Sequence, residues 1–260
     1  VAGGFIAQVT SLGVPFLLRV GVFCAMFIVA YILMKDIGFV PERGKTPVKA
    51  MRAVLVASLA HGLKNPPVRW VMLAAPFTAG VGIYAFYAMQ PYLLELYGDS
   101  KAYAVAGLAA AIVAGSQILG GYMAPKIRGL FKKRTSALLL GIFLSATTLI
   151  LLGLTNTFAV ALFLLVVWGV VFAALSPIRQ TYLNGMIPSK QRATVLSFDS
   201  LLGSAGGVVA QPALGKAADV YGYGPSYIFG AALQLVALPF LALSRRQKSK
   251  ADIVDSIPPK

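Results

Sequence analysis

One acid stands apart in this sequence. Asp199 lies about a turn and a half inside an apolar stretch that opens near Thr194. A carboxylate surrounded by hydrocarbon needs a partner. Two arginines stand at the same level, Arg179 near the end of the preceding apolar stretch and Arg192 just before the stretch that holds Asp199. The chemistry these three offer is an ion pair. It has three readings at this point: a latch that breaks when the protein changes state, a permanent structural pair, or an acid that carries a proton.

A second set of residues suits binding rather than catalysis. Tyr84, Tyr87, Gln90 and Tyr92 occur in one apolar stretch that Pro76 and Pro91 interrupt. Trp168, Ser176, Pro177, Gln180 and Tyr182 occur in another. Aromatic rings with a few convergent polar groups make a small-molecule site. On this pattern Tyr84, Tyr87, Gln90, Trp168 and Gln180 are the candidate cavity residues. Gln90 also suits a helix–helix hydrogen bond. Tyr92 and Tyr182, near helix ends, suit a belt at the membrane interface.

Enzyme chemistry has no foothold. There is no phosphate-binding glycine loop, no pair of acids for one cavity and no nucleophile beside a base. The one histidine is His61 and the one cysteine is Cys24, so no cluster of metal ligands can form from them. No cofactor or metal is expected.

These residues sit in a chain that is 58% hydrophobic and 12% charged. Soluble domains carry about 25% charged residues. A membrane-spanning helix needs about 20 mostly apolar residues. Seven segments qualify: Pro15–Met34, Trp70–Leu96, Tyr103–Pro125, Ala137–Thr155, Phe158–Leu183, Thr194–Ala218 and Tyr227–Leu243. Val1–Gln8 reads as the end of an eighth, and the amino-terminal part of the protein reads as missing. Backbone groups left unpaired in lipid are costly, and no segment alternates as a barrel strand does. The expected fold is therefore all-α, a polytopic bundle of transmembrane helices with the lipid bilayer as its solvent.

The net charge of +15 then has a location. Of the 23 Lys and Arg residues, only Arg19, Lys101 and Lys216 fall outside four places: the 35–69 stretch, the loop from Lys126 to Arg134, the junction from Arg179 to Arg192, and the tail from Arg245. These places alternate along the chain, so antiparallel helices bring them to one side. The positive-inside rule makes that side cytoplasmic. It assigns the 35–69 loop, with Asp36 and Glu42, and the C-terminus, with Asp252 and Asp255, to the cytoplasm. It also removes any need for nucleic acid as a partner.

Within 35–69, Thr46-Pro47 is a helix start, and Gly62 with Asn65-Pro66-Pro67 is a stop. Met51, Leu55, Leu59 and Leu63 fall on one face among Lys49, Arg52 and Lys64. This predicts an amphipathic helix on the membrane surface.

The spans also differ in kind. The fourth and seventh are aliphatic and suit lipid. The third and sixth carry small residues four apart, including Gly107 with Gly115 and Gly203 with Gly207. Such stripes let helices pack closely.

The segment Ile187-Pro-Ser-Lys-Gln-Arg-Ala-Thr-Val-Leu-Ser, then Gln211-Pro-Ala-Leu-Gly-Lys-Ala-Ala-Asp219-Val-Tyr-Gly222, resembles the end of a major facilitator superfamily transporter. So does Gln90-Pro91-Tyr92-Leu93 after a basic central loop. The resemblance covers essentially the whole chain. It implies the last seven of twelve helices: residues 1–34 as the end of the amino-terminal half, 35–69 as the inter-domain linker, 70–244 as the carboxy-terminal six-helix half, and 245–260 as a tail.

In that family the polar spans line the cavity, and the small-residue spans pack between the halves, which would give Gly107, Gly115, Gly203 and Gly207 that role. One departure is plain: in the loop Gly121-Tyr-Met-Ala-Pro125-Lys126-Ile-Arg-Gly129, Pro125 stands where the family often has an acid. Asp199 would then supply the acid, with Arg179 and Arg192, as a cytoplasmic latch. The implied function is secondary transport of a small organic solute by alternating access, with protons as a coupling ion, in the manner of efflux proteins of the bacterial inner membrane. The missing amino-terminal half would be a partner. The rival is a non-transporting membrane receptor or scaffold on the same helices.

Overall fold

The computed structural model describes residues 2–35 and 46–254. Asp36, Glu42, Arg43, Lys45, Asp255 and Lys260, assigned to the cytoplasm from the charge pattern, lie outside the described residues. The chain begins with α1 (Ala2–Val9) and α2 (Gly13–Leu33). Then come α3 (Pro47–Ser58), α4 (Pro66–Tyr97), α5 (Tyr103–Gly129) and α6 (Arg134–Leu154). The last four are α7 (Phe158–Asn184), α8 (Arg192–Tyr221), α9 (Tyr223–Leu235) and α10 (Ala237–Arg246). The last two follow directly and make one continuous span, so among the described residues seven helical spans are long and apolar enough to cross a membrane. Among the described residues there are no strands, only one isolated bridge between Lys133 and Ile253. The all-α transmembrane bundle read from composition is the observed fold.

The helix ends carry the expected chemistry. Thr46 caps α3, accepting the Lys49 N–H at 3.4 Å, with Pro47 at the first helical position. A π turn over Leu59–Leu63 and the pair Pro66-Pro67 separate α3 from α4. The structure begins α4 four residues before Trp70, because proline is tolerated in a first turn whose N–H groups have no helical partner anyway. At the far end Gly98 ends α4 with φ +82, a left-handed conformation that glycine adopts without strain.

The core lies between α4, α5, α6, α7, α8, α9 and α10. α4 packs most closely on α8, α5 on α7, and α6 on both α7 and α9. The α4–α8 crossing is tightest at Gly80 and Gly206. A Cβ on Gly80 would lie 2.7 Å from the Gly206 carbonyl carbon, and one on Gly206 would strike the Pro76 backbone. Only the absence of side chains permits this approach. α2, by contrast, has no buried residue. Its apolar surface, and the outward faces of α5 and α8, are what a bilayer or further helices would cover.

The side-by-side order puts the start of α4, the α5–α6 loop, the α7–α8 junction and the end of α10 on one side. This is the basic side of the molecule. The carboxy-terminal tail folds back there. Asp252, 2% exposed, accepts hydrogen bonds from the backbone N–H and the hydroxyl of Thr135.

Candidate functional site

A cavity of about 340 Å³ opens among α4, α6, α7, α8 and α9–α10. Its depth follows from helix geometry. Arg179 stands five residues before the end of α7, about 8 Å in from the basic side. Asp199 stands seven residues into α8, about 10 Å in. The two side chains meet at the cavity wall. Arg179 Nη1 donates to Asp199 Oδ2 at 2.7 Å and Nη2 donates to Oδ1 at 2.6 Å. Nη2 also donates to the Val71 carbonyl on α4 at 3.3 Å. This bidentate pair is the strong form of a guanidinium–carboxylate contact. It joins α7, α8 and α4.

The rest of the lining is neutral. α4 supplies Ala75, Thr78 and Ile83, and α7 supplies Phe172, Ser176 and Gln180. α8 adds Ser200, Gly203 and Ser204. The far wall comes from α6 and α9, where Gln234 Nε2 donates to Ser145 Oγ at 3.0 Å. A mostly apolar wall with a few placed polar groups is the usual make-up of a solute site.

The structure divides the residues picked from sequence. Arg179, Asp199 and Gln180 come together at this cavity. Trp168 does not line it: the ring is 1% exposed and stacks on Phe172, which does. Tyr84 is buried too, hydrogen-bonded to Ser226 and packed on Tyr227, so it fastens α4 to α9. Tyr87 points outward at 69% exposure. Gln90 lies beside a separate hollow of about 480 Å³ between α1 and the α4–α5 pair. The reason is helical phase and position along α4. The cavity takes the α4 face of Ala75, Thr78, Ala79 and Ile83, from which Tyr84 turns away, whereas Tyr87 lies one turn beyond Ile83, past the end of the cavity.

Arg192 does not join the Arg179–Asp199 pair. Its Nη2 donates to the Asn184 carbonyl at 3.3 Å and to Ser189 at 3.5 Å, so it closes the α7–α8 turn. Arg179 and Asp199 also belong to the same packed set of helices. A latch between two halves would need a residue from each.

The small-residue positions divide as well. Gly107 meets α1: a Cβ on Gly4 would lie 3.2 Å from the Gly107 Cα, and Gln8 accepts the Ala104 N–H at 3.3 Å. Gly203 and Gly207 instead face Ala79 and Ile83 of α4, so they pack inside one unit rather than between two. Gly115 is open, with nothing within 4 Å of an added Cβ. Tyr92 and Tyr182 are buried anchors rather than interfacial residues. Tyr92 donates to the carbonyls of Leu152 at 3.0 Å and Thr155 at 2.9 Å, and Tyr182 pairs with Ser244 at 3.0 Å.

Sequence reasoning missed Ser145, Gln234, Thr78 and Gly80. Ser145 and Gln234 had a signal, as polar residues inside aliphatic spans. Average composition makes α6 and α9 suit lipid, and averaging hides one polar face. Among the described residues there is no group of three His, Cys, Asp or Glu side chains that could hold a metal ion.

Comparison with known proteins agrees with this architecture. The family profile described as the Major Facilitator Superfamily matches residues 1–210. A similar solved structure is a bacterial homolog of the human lysosomal transporter Spinster, in an inward-facing and unoccupied conformation. It shares 20% identity at a TM-score of 0.59, and the match covers 97% of this chain and 65% of that one. At that identity the likeness is one of fold. The chain thus spans less than two thirds of the length of that structure. No curated protein matches.

Proposed function

This chain belongs to the Major Facilitator Superfamily, and on that premise we propose that it is the carboxy-terminal part of a secondary transporter that moves a small organic solute by alternating access. The observation that carries the reading is the cavity itself. It lies within the spans, holds one ion pair about a third of the way into a bilayer, and is otherwise neutral. A group of charges at that depth is expensive and marks a solute or ion path in membrane proteins.

In this reading α1 and α2 belong to a first helical half, α3 lies in the linker, and α4 to α10 form the second half. Residues 70–244 then hold one wall of the solute path and a preceding half holds the other. α3 keeps the features of a membrane-surface helix, with Met51 and Leu55 exposed beside Lys49 and Arg52. The close contact of α1 with α5 at the side away from the basic loops supports a state closed on that side. The basic side is then the cytoplasmic one, and protons are the coupling ion that the Arg179–Asp199 pair suggests.

The test is flux. The complete transporter containing this chain, purified and placed in liposomes, should move a solute down an imposed gradient. Solute binding without movement under any gradient would leave a receptor or scaffold and remove the transport reading.

A further inference from the structure

We propose that the cavity takes an organic monocarboxylate together with a proton: the carboxylate replaces Asp199 on the Arg179 guanidinium, and the proton goes to Asp199. This rests on the reading of the cavity as the solute site.

Among the described lining residues, Arg179 and Asp199 are the charged side chains, and each is held by the other. A charged solute must therefore compete for one of them. The two are not equally reachable, since the Arg179 side chain is 23% exposed and that of Asp199 is 6% exposed. An entering solute meets the guanidinium first. It also meets a planar fork built to hold two carboxylate oxygens.

The two are not equally replaceable either. A cationic solute that took Asp199 would strand the guanidinium, and arginine does not give up its proton in proteins. A buried charge without a partner is strongly disfavoured. An anionic solute that took Arg179 would strand Asp199 instead, and a carboxylate in that position is neutralised by one proton. Of the two singly charged kinds of solute, the anion is the one that leaves no unpaired buried charge.

The exchange balances. A carboxylate anion, a proton and the Arg179–Asp199 ion pair become a carboxylate–Arg179 ion pair and a neutral Asp199. One O–H bond forms, and none other is made or broken. Net charge entering the site is zero, so the coupled step is electroneutral and moves anion and proton in the same direction.

The surroundings of Asp199 offer no second cation for it. The charged or titratable groups on the elements packed against α8 are Lys49 and Arg52 on α3, His61 in the π turn, Arg69, Tyr84, Tyr87, Tyr92, Glu95 and Tyr97 on α4, Lys190 in the turn before α8, and Tyr223 and Tyr227 on α9. Arg192 opens α8 itself. Among the described residues, Arg179 alone is within salt-bridge distance of Asp199. The remaining wall, with Phe172, Leu175 and Ile83, suits an apolar body on the carboxylate.

The experiment is calorimetric binding to the complete transporter in detergent. The probes are acetate, hexanoate, benzoate and naphthoate, each beside its matched amide and amine. Repeating the titration in buffers of different ionisation enthalpy counts protons. At least one carboxylate should bind better than its amide or amine, with uptake of about one proton per molecule bound. Its affinity should rise about tenfold for each pH unit lowered while Asp199 is ionised in the free protein.

Asp199→Asn should keep carboxylate binding and lose both proton uptake and pH dependence. Arg179→Gln with Asp199→Asn, which removes both charges together, should lose the preference for the anion. Failure of every carboxylate to bind, equal binding of the amine, or carboxylate binding without proton uptake would overturn the proposal. These readings are made without flux. A transporter that moves another solute would therefore sink this proposal and leave the transport reading intact.

Discussion

The carboxylate of Asp252 accepts the backbone N–H of Thr135 at 2.8 Å and its hydroxyl at 2.9 Å, across 117 residues of sequence. α6 has no capping side chain of its own at Lys133, so the tail supplies one. The contact is reciprocal. Arg134 donates to the carbonyls of Ala251 and Ile253, and the Val254 N–H donates to the Lys132 carbonyl at 3.1 Å. Ala251 also sits against Gly185 at the end of α7. The tail is thus a strap over the basic ends of α6 and α7.

Asp252→Ala should lower stability by about 1–3 kcal/mol, the cost of a lost cap plus a buried donor left unpaired. Thermal unfolding of the purified protein in detergent reads this directly. A melting point equal to that of the native protein would mean that the tail does not dock.

Gly206→Val should be among the most disruptive single changes in the chain. Its side chain would enter the Pro76 backbone, which cannot yield as a flexible side chain would. The expected cost is about 3 kcal/mol or more. Gly115→Ala, with open space around it, should be neutral or stabilise by up to about 1 kcal/mol through helix propensity. Comparing the two by melting and by size-exclusion profile separates a crossing point from a stripe that merely looks like one.

The Arg179–Asp199 pair should behave non-additively. Arg179→Ala leaves the buried Asp199 unpaired and should cost about 3–5 kcal/mol, while Asp199→Ala leaves the more exposed Arg179 with its Val71 carbonyl contact and should cost less. The joint replacement Arg179→Met with Asp199→Leu should recover most of that. A double-mutant cycle on unfolding midpoints measures the coupling. Strict additivity would mean that the two side chains do not interact in solution.

Exposure divides the residues picked from sequence into testable groups. In a Cys24→Ser background, Gln180→Cys should react with a membrane-impermeant maleimide from the basic side. Tyr84→Cys and Trp168→Cys, both in the packed core, should stay unlabelled. Reaction at position 84 equal to that at 180 would place Tyr84 on the solute path.

Much of this protein could be read along the chain. The spans, the Thr46 cap, the Pro66 boundary and the alternation of basic loops are local or periodic features, and the structure places the helices accordingly. The Arg179–Asp199 pair was legible too, because a lone acid in hydrocarbon demands a nearby cation. Arg192 shows the limit. It stood at the right depth but faced the Asn184 carbonyl, since depth follows from counting residues and direction does not.

Sequence alone therefore determined the solvent of this protein, its number of spans, the side its charges take and the acid that needs a partner. These follow from hydration and backbone hydrogen bonding, which act residue by residue. Tertiary structure decided the rest: that Tyr84 and Trp168 are core, that Ser145 and Gln234 reach the cavity, that Gly80 and Gly206 mark the crossing, and that Asp252 caps a distant helix. Each of these depends on the rotation of one helix against another. That rotation is set by packing summed over many residues, and no single residue type announces it.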